Sequence, residues 1–291
     1  MSAQHRFIAV HNQRWPVCAQ CRVLGVSASG FYKWRRRGVS KRGAANAELA
    51  AAVQRIYDEH GGRYGSPRIH AELRAAAAHC SENRVARLMR QLGLQGKRLR
   101  RRWRNNLQAG TRVADQLQRQ FAPGGQAALV ADITGLRTRE GRLYLAVVLC
   151  LRTRRVLGWS MSRDEHGALP LEALRSALAR YPIHPGTLHH SDGGGHYTSG
   201  ALALLLGQQQ LTASMSRPRN CYDNAVAESF FATLKRELGG LRPWATRCAA
   251  QAAVQEYLDG YFNSCRRHST LGHLTPDAYA VLLTASIPPV D

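Results

Sequence analysis

Apolar residues in the first hundred positions recur at helical spacing; from residue 127 the spacing shortens to that of strands. In residues 15–37, Val17, Cys21 and Leu24 share one helical face, Gly25 breaks the run, and Ser27 can cap a second helix carrying Phe31 and Trp34. The pattern predicts helix, turn, helix, either a small DNA-reading motif or an ordinary helical hairpin. Residues 44–94 read as three more helices. Ala47–His60 is the first, Ser66-Pro67 opens the second, and Ser81-Glu82-Asn83 opens a third with Val85, Leu88, Met89 and Leu92 on its apolar face.

The second half changes character. Ala127–Ala131 is an apolar run ending at Asp132, followed by predicted strands at 143–151 and 155–162, a three-strand meander. A helix over Leu169–Tyr181, a strand over Thr187–His190, a helix over Ser199–Gln209, a strand over Leu211–Ser214 and a helix over Asn224–Leu238 complete the order βββαβαβα. That order predicts an α/β ribonuclease-H-like core, a five-stranded mixed sheet with helices, preceded by all-α helix-turn-helix segments. The expected divisions are 1–40, a helix-turn-helix-like segment; 41–104, a second helical DNA-binding domain; 105–125, a linker; 126–240, the core; and 241–291, a C-terminal helical and basic segment completing it.

Charge sharpens this picture. The 291 residues carry a formal net charge of +22, and +18 of it falls in residues 1–120. Solubility needs a net charge of only about 2–8, so the excess points to a polyanion partner, double-stranded DNA. Arg35, Arg36 and Arg37 end the second predicted helix. Lys97, Arg98, Arg100, Arg101, Arg102 and Arg104 lie in "KRLRRRWR", where Trp103 could stack or wedge, a solvated linker being the alternative. Near the C-terminus, Arg266 and Arg267 are further expected phosphate contacts. The seven scattered cysteines and the lack of a signal peptide fit a reduced, cytoplasmic setting. Cys18 and Cys21 lack a second pair at zinc-ribbon spacing and read as helix residues. No apolar run is long enough to span a membrane.

Three acids stand out against this basic background. Asp132 closes the first apolar strand, Asp192 follows the fourth strand before three glycines, and Glu228 lies one turn into a helix. On converging elements these carboxylates suit Mg²⁺ or Mn²⁺, which prefer oxygen ligands and keep open positions for phosphate. Two such ions could activate an attacking oxygen and stabilise a leaving one. Lys235, seven residues beyond Glu228, lies two turns along the same face and could hold phosphate or simply be solvated.

The motifs carrying these residues closely resemble those of the transposases of the IS3 insertion-sequence family, specifically the integrase-core product of the second reading frame. The resembling stretches are "ADITGL" with Asp132, "HSDGGGHYTS" with Asp192 and "NCYDNAVAESFFATLKRE" with Glu228; 35 residues separate the last two acids. "YGSPRI" at Tyr64–Ile69 and "RRHSTLG" at Arg266–Gly272 also resemble family stretches. The chain departs from the family pattern at Cys150, Gly193 and Arg219, none of which replaces a member of the acidic triad.

The resemblance implies a bacterial enzyme, nucleoid-associated when DNA-bound. It would cleave a phosphodiester at the element's end with water, freeing a 3′-OH that attacks another phosphodiester in line. The resemblance further implies that the first joining circularises the element. The resemblance also implies a partner, the upstream-frame helix-turn-helix and leucine-zipper product, and a homo-multimer on the DNA ends and target. A non-catalytic DNA-binding regulator and a ribonuclease-H-type nuclease that cuts without joining are the competing readings.

Overall fold

The computed structural model describes residues 3–36, 40–97, 113–217, 220–239 and 243–285, without the side chain of Cys221. They divide into two compact units, one of residues 1–62 and 72–95, the other of residues 63–71 and 96–291.

In the first unit, α1 (Ala3–His11), α2 (Val17–Val23) and α3 (Ala28–Arg36) close around Ile8, Cys21 and Phe31. Val17, Leu24 and Trp34 pack against that centre, as the helical spacing predicts. The α2–α3 turn is set by Gly25 at φ +66°, and the Ser27 hydroxyl accepts the Gly30 N–H at 3.0 Å. Helix α4 (Lys41–Glu59) begins six residues earlier than the expected Ala47, because Ser40 caps it by accepting the Gly43 N–H at 3.0 Å. Helix α6 (Glu82–Gln91), capped by Ser81, packs on α4, while α5 (Ser66–Ala75) has residues in both units.

The second unit is built on one five-stranded sheet. Strands β1 (Ala128–Thr138), β2 (Gly141–Cys150) and β3 (Val156–Ser162) form the antiparallel meander. Strand β4 (Leu188–Ser191) runs parallel to β1, and β5 (Thr212–Met215) parallel to β4, giving the order β3-β2-β1-β4-β5.

Alternation along the strands divides the core in two. Val130, Leu145, Val147 and Leu149 face α9 (Ala225–Leu238), α10 (Arg247–Gln255) and the π-helical turn Glu256–Phe262. Leu129, Ala131, Ala146 and Val148 face α7 (Ala168–Arg180) and α8 (Gly200–Gln208). Each buried aliphatic side chain contributes about 1.5–3 kcal/mol, so both faces are firmly covered. Gly158 lets α7 lie directly on β3, since a Cβ there would meet the Ala173 carbonyl oxygen and the Ala177 nitrogen at 2.4 Å. Tyr257, Leu258 and Phe262 join the first core cluster, so the segment after α9 is part of the core. Helix α11 (Pro276–Ala285) follows.

One boundary differs from the sequence expectation in a way that matters. Strand β1 does not end at Asp132 but continues to Thr138, because residues 133–138 pair with β2 from Ile133↔Ala146 to Thr138↔Gly141. On the other flank of β1, β4 stops at Ser191. The step in the sheet beside Asp132 is therefore made by the shorter neighbour, not by the end of β1.

Candidate active site

Asp132 and Asp192 are placed by strand register. Val130 pairs with His190 in the parallel β1–β4 ladder. Continuing that register by two residues sets Asp132 level with Asp192, on the first residue past the end of β4. Alternation directs both toward the α9 side of the sheet, two residues beyond Val130 and His190. The Asp132 Oδ1 accepts the Ile133 N–H at 2.8 Å, and the Asp192 Oδ1 accepts the Gly194 N–H at 2.9 Å. Gly193 makes this turn possible at φ +69°, a conformation L-residues rarely adopt.

Helix α9 brings the third acid. The Asn224 amide donates to the Ala131 carbonyl at 3.3 Å, and the Lys235 ammonium donates to the Thr134 hydroxyl at 2.5 Å. These bonds hold α9 along β1 on either side of Asp132. Glu228 lies four residues after Asn224 and seven before Lys235, on the same helical face and exposed. The start of the helix is fixed by Asp223, a buried carboxylate bonded by Arg217 at 2.8 Å and 2.9 Å and by Arg119 at 2.7 Å. Those guanidiniums hold its carboxyl far below the usual range.

The electrostatics mark Asp132 as the strained member. Burial, then the charges of Asp192 and Glu228, push its carboxyl well above the ordinary range; the Ile133 N–H and Lys235 act against this. A cation would relieve that repulsion. The donor set fits a hard divalent ion, being carboxylates only, with the second oxygen of each aspartate accepting no hydrogen bond among the described residues. Also among the described residues, no three His, Cys, Asp or Glu side chains are drawn together tightly enough to enclose an ion.

The expected DNA contacts fare unequally. Arg266 is a correction: it is 3% exposed, and its guanidinium is engaged by Glu237 at 2.8 Å and 3.0 Å. Such a group cannot reach phosphate without breaking the core. Arg267 is half-buried and donates to the His273 carbonyl at 2.9 Å. The Lys97 ammonium donates to the Glu237 carbonyl at 2.9 Å, at the C-terminal end of α9. Arg35 and Arg36 are exposed on α3. Arg36 also lines a shallow concavity with Ser29, Tyr32 and Lys33, which recur at helical spacing and which sequence reading passed over. Arg37, Arg98, Arg100, Arg101, Arg102, Trp103, Arg104 and Arg219 lie outside the described residues.

A helical basic region followed by a five-stranded sheet of order β3-β2-β1-β4-β5, with two aspartates level past the end of β4, fits one class: an integrase-core polynucleotidyl transferase acting on DNA. Comparison with known proteins agrees. Residues 44–102 match an HTH-like domain model, and residues 123–221 and 209–276 match two integrase core domain models. The transposase InsF for insertion sequence IS3A of Escherichia coli (strain K12) is 37% identical over 278 residues, covering 94% of this chain and 96% of its own. A 31 kDa protein of insertion element IS600 from Shigella sonnei is 36% identical over 266 residues, covering 89% and 96%. Among solved structures, a chain of the simian T-cell lymphotropic virus intasome aligns at TM-score 0.45 and 13% identity, over 82% of this chain and 76% of that one. The chain belongs to the IS3 family of insertion-sequence transposases. None of its described helices is long and apolar enough to cross a membrane.

Proposed function

We propose that this chain catalyses divalent-metal-dependent DNA strand cleavage and strand transfer, with Asp132, Asp192 and Glu228 as the acidic triad. The observation that carries the reading is the β1–β4 register, which sets two aspartates level past the end of β4 with α9 laid alongside. Mg²⁺ or Mn²⁺, two ions held by the three carboxylates, would supply Lewis acidity toward the phosphodiester and favour the ionised form of the attacking hydroxyl.

The protein's own groups do the rest. The backbone N–H groups of Ile133 and Gly194 each fix one carboxylate oxygen of the aspartate pair. Lys235 tempers the negative charge beside Thr134 and is placed to meet a non-bridging phosphate oxygen. Water adds to phosphorus as the bond to the 3′ oxygen breaks, releasing a 3′-OH. That hydroxyl then forms a new phosphodiester as a second leaving oxygen departs, so no protein–DNA bond is made. Ser29, Tyr32, Lys33 and Arg36 of α3, with Arg35, Arg37 and the run from Lys97 to Arg104, give the duplex phosphate contacts. Arg267 adds to them beyond its bond to His273. Recognition of the element's ends is assigned to partnership with the upstream-frame helix-turn-helix product, and joining two ends calls for a homo-multimer on DNA.

The test is a cleavage and strand-transfer assay on DNA carrying the element's ends, with that partner supplied. Joined products lost in each of Asp132→Asn, Asp192→Asn and Glu228→Gln, with DNA binding intact, support the triad. Full activity in any one removes that residue. Cleaved but never joined products favour a simple nuclease.

A further inference from the structure

The hairpin that joins β1 to β2 ends in "RTREGR", Arg137 to Arg142, three arginines against the single acid Glu140, in the half of the chain that carries little of the net charge. Arg137 and Arg142 are Cα partners, directly opposite across the ladder. Like charges so placed destabilise a strand pair. All three arginines are exposed, and none of their side chains has an ion-pair or hydrogen-bond partner among the described residues.

The turn itself is firmly held. The Thr138 hydroxyl donates to the Gly141 carbonyl at 2.7 Å and accepts the Glu140 N–H at 3.2 Å. The Arg139 N–H donates to the Trp244 carbonyl at 2.9 Å, and the Trp244 N–H to the Arg137 carbonyl at 3.1 Å. Arg247, at the start of α10, donates from Nε to the Arg142 carbonyl at 3.0 Å, while its backbone N–H donates to the Glu140 carboxylate at 2.8 Å. The one acid of the turn is thus engaged by backbone. Arg247 also brings a fourth guanidinium over Gly141, where a Cβ would meet its Nη2 at 2.7 Å. By alternation Arg137 and Arg142 stand on the α7/α8 side of the sheet with Ile133 and Tyr144, whereas Asp132 points to the α9 side. A rise of about 3.3 Å per residue puts Arg137 about 17 Å along β1 from Asp132. These arginines are therefore no part of the acidic site.

We propose that the tip of the β1–β2 hairpin binds the phosphate backbone of duplex DNA through Arg137, Arg139 and Arg142, clear of the reacting phosphodiester. The inference rests on the reading of this chain as an enzyme that cuts and joins DNA. Phosphate relieves the arginine–arginine repulsion that the free protein leaves unanswered, and a planar guanidinium offers it paired donors. The anchored turn holds these groups without ordering a loop on binding, which lowers the cost of association. Element-end and target duplexes share this chemistry, and the test separates them.

The experiment titrates the full chain with element-end duplex and with random-sequence duplex over a range of salt. Wild type is compared with a triple variant, Arg137→Gln, Arg139→Gln and Arg142→Gln, with the same three positions changed Arg→Lys, and with Arg175→Gln, at an exposed position on α7. The glutamine variant is expected to lower the slope of log affinity against log salt by about 1 for each arginine that meets a phosphate. It should melt no lower than wild type, since the cross-strand repulsion is gone; if the triple does not fold, Arg139→Gln alone carries the test. Joining should fall at limiting DNA and recover at saturating DNA, which a damaged acidic site would not do. The lysine variant should keep most of the wild-type slope, and Arg175→Gln all of it. A loss confined to one duplex assigns the tip to the element end or to the target. An unchanged slope with both duplexes, or an equal drop in Arg175→Gln, overturns the inference. Tip-dependent binding by a wild type that neither cleaves nor joins overturns the catalytic reading and leaves the tip as a DNA-binding surface.

Discussion

Glu237 and Arg266 form a buried ion pair, with the arginine Nη2 2.8 Å and Nε 3.0 Å from the two carboxylate oxygens, nine residues along α9 from Glu228. Tyr257 donates to the same carboxylate at 2.8 Å, and Arg68 stands 3.5 Å from it. Tyr64 donates to the Cys265 carbonyl at 3.1 Å and accepts the Arg267 N–H at 2.9 Å. Two motifs far apart in sequence, "YGSPRI" and "RRHSTLG", thus meet around the C-terminal end of the helix that carries Glu228.

Removing one partner from such a pair leaves a buried charge alone. Arg266→Met is expected to lower unfolding free energy by about 3–5 kcal/mol, while the molecules that remain folded keep wild-type DNA affinity. Urea denaturation and gel-shift titration at one protein concentration separate the two. A soluble, fully stable variant with weakened DNA binding would restore Arg266 to the DNA surface.

Acid should unfold this protein early. Burial, with the charges of Arg266, Arg68 and Arg154, lowers the His268 pKa to about 2, and burial lowers that of His189 to about 4. Both are neutral in the folded state and bind protons on unfolding. Their contribution is therefore complete above the unfolded value near 6.5 and is lost as pH falls below it. Glu237 acts in the same direction at lower pH: burial pushes its carboxyl up, but Arg266 more than offsets this and holds it below the ordinary range. Each histidine is expected to cost up to about 2 kcal/mol at pH 5. Urea midpoints between pH 7.5 and 5 measure the slope, which His268→Gln should flatten.

Asp132 carries the opposite sign. Its raised carboxyl holds a proton more readily folded than unfolded, so its contribution is present at low pH and lost as pH rises through the folded value. In EDTA at neutral pH, Asp132→Asn should melt above wild type, by about 2–4 °C for each kcal/mol of repulsion relieved. Added Mg²⁺ should close the gap by stabilising wild type alone. A variant melting below wild type in EDTA would show that the carboxylate is structurally required.

On α3, the exposed face of Ser29, Tyr32, Lys33 and Arg36 should contribute phosphate contacts. Lys33→Ala and Arg36→Ala are each expected to lower the slope of log affinity against log salt by about 1, with the helix content unchanged. A slope identical to wild type in both would remove this face from the DNA-binding surface.

How much of this was legible in the sequence differs by level. Continuous apolar runs such as 143–151 gave strands β2 and β3 to within two residues, because both faces of the sheet are buried. The family motifs and the 35-residue spacing singled out the acids. What hid was pairing. Nothing local to "ADITGL" shows that β1 outruns β4, so Asp132 read as a strand end when it lies at mid-strand. Arg266 looked like a surface cation because its partner Glu237 stands 29 positions away on another element. The caps at Ser40, Ser81 and Ser199 were readable, and overlooking the first shortened α4.

The claim that Asp132, Asp192 and Glu228 hold the reactive cation is tested most directly by placing a softer ligand at each position. Asp132→Cys, Asp192→Cys and Glu228→Cys would be assayed for strand transfer in Mg²⁺ and in Mn²⁺, which tolerates sulfur better. The account predicts loss of joined product in Mg²⁺ for all three and partial recovery in Mn²⁺ for at least the two aspartate positions. Undiminished Mg²⁺-supported joining in any of the three would contradict it.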